Sequence, residues 1–66
     1  MPTAAAIANL KLAEQAMYSA QQELMKYISG SDRFTPAGIA EHKRLVDNVM
    51  QKTSEYMDAF RTTAAS

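Results

Sequence analysis

Sixty-six residues, a formal net charge of zero and no cysteine describe one small domain without disulfides, thiol chemistry or thiolate-held metal. Neither half is strongly basic, so nothing draws the chain as a whole to nucleic acid or an anionic membrane. The 47% hydrophobic fraction overstates the core because twelve of those residues are Ala, and a chain this short buries only about 60% of its unfolded surface.

The first element is expected over residues 4–29. Thr3 to Ser29 holds no internal Gly or Pro and is rich in Ala, Leu, Gln, Glu, Lys and Met, all good helix formers. Thr3 is placed to cap it. On a wheel of 100° per residue, Ile7, Leu10, Met17, Leu24 and Ile28 share a face with Gln21, and Ala6, Ala13 and Ala20 run beside them at a spacing of seven. Lys11, Gln15, Gln22 and Lys26 fall opposite.

A turn is expected over 30–35. Gly30 suits the left-handed conformation that closes a helix C-terminus, and Ser31 and Asp32 are common turn formers. The second helix, expected over 36–62, opens with a capping signature. Thr35 is its N-cap, and Pro36 sits at the first helical position, where its missing N–H costs nothing. Phe34 and Ile39 stand at the positions of a hydrophobic staple. His42, Val46, Val49, Thr53, Tyr56 and Phe60 form its main stripe, flanked by Ile39, Met50 and Met57 on one side and Leu45 on the other.

A short connection makes the helices antiparallel neighbours. Folding about the turn brings Tyr56 and Phe60 near Ala6, Ile7 and Leu10, Val49 near Met17, and His42 near Gln21 and Leu24. The alanine column lets the two axes approach closely.

The chemistry-bearing residues form no constellation. Charges at a spacing of three (Lys11–Glu14, Glu23–Lys26, Glu41–Arg44, Arg44–Asp47, Asp58–Arg61) read as helix-surface pairs. His42 lies in the apolar stripe without a nucleophile or second base to meet it. It reads as a half-buried group bonded to a neighbour such as Gln21, or as a titrating group at an interface. The run His42-Lys43-Arg44 points three ways on a helix and is flanked by Glu41 and Asp47. No catalytic residue, cofactor site, metal site or nucleic-acid partner is expected. No apolar run approaches the roughly 20 residues of a membrane span. The opening MPTAAAIANL lacks the basic and apolar regions of a cleavable signal peptide, so a cytoplasmic location is expected.

Two families offer partial parallels. Ile39 to Met50 resembles the second helix of the small hairpin phosphatases that act on aspartyl-phosphate response regulators. Lys43-Arg44-Leu45-Val46-Asp47 stands where that family has Ser-Gln-Glu-Leu-Asp, and it agrees at the apolar position and at Asp47. Thr35 to Asn48 is similar to the turn and second helix of type III secretion needle subunits, with Pro36-Ala37-Gly38-Ile39-Ala40 at the helix opening. Either resemblance implies a hairpin that docks on, or assembles with, other protein.

The expected fold is all-α, an antiparallel two-helix hairpin completed by oligomerisation into a four-helix bundle or a larger helical assembly. The expected function is non-enzymatic: self-association, or binding of another helical protein, through apolar helix faces. Two helices carrying this much alanine make a core too thin to stand alone. The interface residues expected are Met17, Tyr18, Met25, His42, Met50, Tyr56, Met57 and Phe60. Met among them suits adaptable contacts.

Overall fold

Two threonines start the two helices in the same way. In the computed structural model, which describes residues 2–30 and 34–65, α1 runs Ala4–Gly30 and α2 runs Pro36–Ala65. Thr3 Oγ1 accepts the Ala6 N–H at 3.0 Å, and Thr35 Oγ1 accepts the Gly38 N–H at 3.0 Å. The backbone carbonyls of the same two threonines take the next donors, Ile7 N–H at 3.1 Å and Ile39 N–H at 2.8 Å. Neither helix has an acidic residue in its first turn or a basic one in its last. The start signals therefore rest on the threonines.

The helix ends correct two expectations. Gly30 is not a left-handed cap: it is the last residue of α1, and no described glycine has a positive φ. Near it, Ser29 turns its hydroxyl back to the carbonyls of Met25 (3.0 Å) and Lys26 (3.2 Å). α2 continues three residues beyond the expected end. The Phe34–Ile39 staple buries little, because Phe34 is 83% exposed and Ile39 59%. The expected turn residues Ser31 and Asp32 lie outside the described residues.

The described residues contain helix only, and the two helices pack against each other as an antiparallel hairpin. Ala6, Leu10, Ala13, Met17, Ala20, Leu24 and Tyr27 are buried or half-buried along α1, and so are Gly38, His42, Leu45, Val49, Lys52, Tyr56, Ala59 and Thr63 along α2. Both series step by four and three without interruption, the heptad spacing of a coiled-coil seam. Two cross-helix contacts fix their register. Thr63 Oγ1, bonded to the Ala59 carbonyl at 2.8 Å, also reaches the Ala6 carbonyl at 3.3 Å. At the other end, the Tyr27 and His42 rings stack with centroids 6.4 Å apart. Stepping inward by sevens from these pairs puts Ala13 level with Tyr56 and Ala20 level with Val49. Leu10 then meets the level of Ala59, and Leu24 that of Leu45. Large faces small at three of these levels, Leu10 with Ala59, Tyr56 with Ala13 and Val49 with Ala20, which lets the axes approach while the space between them fills.

This seam is rotated from the expected stripe. Leu45, expected on a flank, is buried at 5% exposure, and Ala20 at 3%. Ile7, Ile28 and Phe60, expected in the stripe, are exposed. The physical reason is that the small residues Gly38 and Ala59 let the axes approach on this face, and Leu45 stands on the same seven-residue spacing as both.

A helix pair has no second layer, and the dimensions show it. The hairpin measures 50 × 15 × 11 Å with a radius of gyration of 15.0 Å. A folded domain of this length has a radius near 11 Å. Its accessible surface of 4938 Å² exceeds the roughly 4,200 Å² expected of a folded monomer of 7.3 kDa.

Candidate functional site

The rotation of the seam leaves a second apolar stripe facing out. On α2 it is made of Ile39, Met50, Met57 and Phe60, exposed, with Val46 and Thr53 half-buried between them, and Lys43 is its charged member. These residues repeat the four–three spacing about 100° round the helix from the inner seam. On α1 the matching stripe holds Ile7, Tyr18, Met25 and Ile28 but is broken by Lys11, Glu14 and Gln21. Both stripes lie on one broad side of the hairpin. The opposite side carries Asn9, Glu23, Glu41, Asn48, Glu55 and Thr62 along its seam edge, with Leu12 its exposed large apolar residue.

Shallow hollows mark the surface of both helices. A shallow hollow of about 240 Å³ is lined by Tyr56, Met57, Phe60 and Arg61. A neighbouring one of about 440 Å³ is lined by Val49, Met50, Thr53, Ser54, Met57 and Arg61. Tyr56 and Phe60, one turn apart, set their rings at 6.4 Å and 46° and form the wall of the first. A third hollow lies on α1 between Met25 and its polar neighbours Gln22, Lys26 and Ser29.

The eight residues expected at an interface divide into two groups. Tyr18, Met25, Met50, Met57 and Phe60 are all more than half exposed on the outer side. Met17, His42 and Tyr56 point into the hairpin seam and are half-buried there. The His42 ring stacks on Tyr27, at an interplanar angle of 21°.

Tyr27 was not anticipated. Its hydroxyl donates to the Gly38 carbonyl at 2.7 Å while its ring covers His42. One side chain thus ties the last turn of α1 to the first turn of α2. The signal for it is the alanine column itself: Ala6, Ala13 and Ala20 continue at the same spacing of seven to residue 27.

The charges serve the helix surfaces. Among the described residues, ion pairs join Glu41 to Arg44, Asp58 to Arg61, and Lys52 to Glu55 at 3.5 Å. The expected pairs Lys11–Glu14, Glu23–Lys26 and Arg44–Asp47 are not among them. Arg44 Nε sits 3.1 Å from both carboxylate oxygens of Glu41. That hydrogen bonding holds the Glu41 carboxyl below its ordinary value; desolvation opposes it, and the guanidinium charge adds to it. Glu41 in turn raises Arg44. Lys52 is the charged member of the inner seam and keeps its ammonium at the edge, a long stem lying along apolar surface. Asp47, the residue shared with the phosphatase signature, is exposed.

No group of three or more His, Cys, Asp or Glu able to hold a metal ion occurs among the described residues. No helix is long and apolar enough to cross a membrane. No family model, no curated protein and no solved structure matches the chain.

Proposed function

We propose that this hairpin is a protein–protein assembly module whose partner is a second copy of itself, the two packing their apolar sides together into a four-helix bundle. The observation that carries the reading is that most of the exposed large apolar residues lie on one side of the hairpin, with nothing in the hairpin covering them. Monomeric proteins rarely expose contiguous apolar patches beyond a few hundred Å². A side 50 Å long and 15 Å wide offers roughly 750 Å², close to the ~800 Å² each partner contributes to a standard interface. Methionine and aromatic residues, enriched in interface cores, dominate it here. Met25, Met50 and Met57 adjust to an opposing surface at little conformational strain.

Sedimentation equilibrium tests the reading. A mass near twice 7.3 kDa at micromolar concentration is the expected result. A folded, monodisperse monomer over the same range overturns it. The melting temperature should also rise with protein concentration, since association stabilises only the folded form.

A further inference from the structure

The middle of the outer stripe of α2 places apolar residues to either side of Thr53 at matching spacing. Counting from Thr53, Val46 and Phe60 lie seven residues away on either side. Met50 and Met57 lie three before and four after it, as the heptad requires. The edge of the stripe is ordered too. Asp47 and Arg61 lie seven residues either side of Ser54, and both are exposed.

We infer that the assembly is built on an antiparallel α2–α2 seam, with a twofold axis passing beside Thr53. This rests on the reading of the hairpin as a self-associating module and specifies its geometry. A twofold interface is isologous: if residue i meets residue j, then j meets i. In the antiparallel arrangement Thr53 meets Thr53 of the second copy, Val46 meets Phe60, and Met50 meets Met57. Small opposes large at the first pair, and flexible opposes flexible at the second.

Charge selects this direction over the parallel one. Antiparallel packing about Thr53 brings Asp47 within two residues, about 3 Å along the axis, of the level of Arg61 of the second copy, twice, once at each end. Parallel packing would set Asp47 on Asp47 and Arg61 on Arg61, and like charges across an interface are costly. Arg61 already pairs with Asp58 one turn back in its own helix. Its fork of five donors can serve both carboxylates. α1 does not offer an equivalent seam. At the level where α2 carries Met57, Thr53 and Val46, the α1 stripe carries Lys11, Glu14 and Gln21.

The chain contains no cysteine, so single cysteines report contacts without background. Thr53→Cys oxidised with diamide is expected to give a disulfide-linked dimer. Val46→Cys alone and Phe60→Cys alone are expected to stay monomeric on denaturing gels, while an equimolar mixture of the two cross-links. A disulfide needs Cα atoms within about 7 Å, so cross-linking reads register directly. Asp47→Arg and Arg61→Asp should each raise the dissociation constant about five-fold or more, and the double reversal should recover much of the loss. Self-linkage of Val46→Cys or Phe60→Cys with Thr53→Cys silent overturns the seam, as does a double reversal no tighter than the singles. In those cases a dimeric wild type leaves the assembly reading intact, whereas a monomeric wild type removes both.

Discussion

The inner seam and the outer stripe of α2 divide its apolar side chains between them. The inner seam reads Gly38, His42, Leu45, Val49, Lys52, Tyr56, Ala59 and Thr63, and the outer stripe has Ile39, Val46, Met50, Met57 and Phe60. Large apolar residues normally go inside because each removes more area from water. Here Gly38 and Ala59 on the inside let two helices touch, Leu45 and Tyr56 fill beside them, and Ile39, Met50, Met57 and Phe60 are left outside. Closeness and burial are therefore separate jobs in this hairpin. The seam sets geometry, and the outer side holds the larger unused apolar area.

That comparison can be broken by removing one large residue from each side. Leu45→Ala, at the buried level of the seam, is expected to cost about 2 kcal/mol or more in urea unfolding, from lost transfer energy and the cavity left behind. Its midpoint should keep the concentration dependence of the wild type. Phe60→Ala is expected to flatten that dependence instead, because in the proposed assembly the contact it loses belongs to a second copy. Equal slopes for the two variants would erase the distinction between the sides.

Tyr27→Phe sharpens the account of the seam. It keeps the stack on His42 but leaves the Gly38 carbonyl without its hydroxyl donor, and should cost about 1 kcal/mol. Tyr18→Phe, on the exposed outer side, should change the stability of the hairpin itself by less than about 0.5 kcal/mol. Both values come from thermal or urea melts at one concentration.

A smaller effect, of opposite sign, is expected at Gly30. Its backbone is helical, and a Cβ added there meets nothing within 4 Å. Gly30→Ala should therefore stabilise by about 0.5 kcal/mol, through the entropy of the unfolded chain and helix propensity. Destabilisation on melting would mean that the glycine is needed in a conformation Ala resists.

The smallest expected effect is that of pH. The Glu41 carboxyl is held below its ordinary value of 4.5 by the Arg44 hydrogen bond. A depressed carboxyl contributes stability above its unfolded pKa, and that contribution is lost as pH falls through the lower folded value. Helicity followed by circular dichroism should decline slightly as the solution is acidified below about pH 4.5. Glu41→Gln should remove that part of the decline, and an unchanged profile would show that the pair contributes nothing.

Much of the fold is legible in the residue order. Thr3 and Thr35-Pro36 mark both helix starts, and the short connection dictates antiparallel packing. The face that packs is less legible, for a physical reason. Helical wheels weight residues by bulk, and α2 carries two apolar stripes about 100° apart. A single best face drawn through both falls between them, so it takes in Val46, Thr53 and Phe60 while demoting Leu45 to a flank. Spacing is the better guide: the alanines at 6, 13 and 20 fix the seam on α1 and lead on to Tyr27. On the outer side, Tyr18, Met25, Met50 and Met57 are readable from sequence because nothing in the hairpin is large enough to cover them. His42 is readable as half-buried, but its partner is not, since a ring stack leaves no pattern of spacing.

The uninterrupted seven-residue repeat has a further consequence, for handedness. An ideal helix drifts by about 20° per heptad relative to its own repeat. Over the four heptads of α2 a straight partner would slide off either stripe by roughly 80°. A helix that follows the repeat must instead wind round it in a left-handed sense, crossing near +20°. Because the inner and outer stripes of α2 share one period, they drift together. The coil that α1 makes with α2 sets the path for any helix laid along the other side.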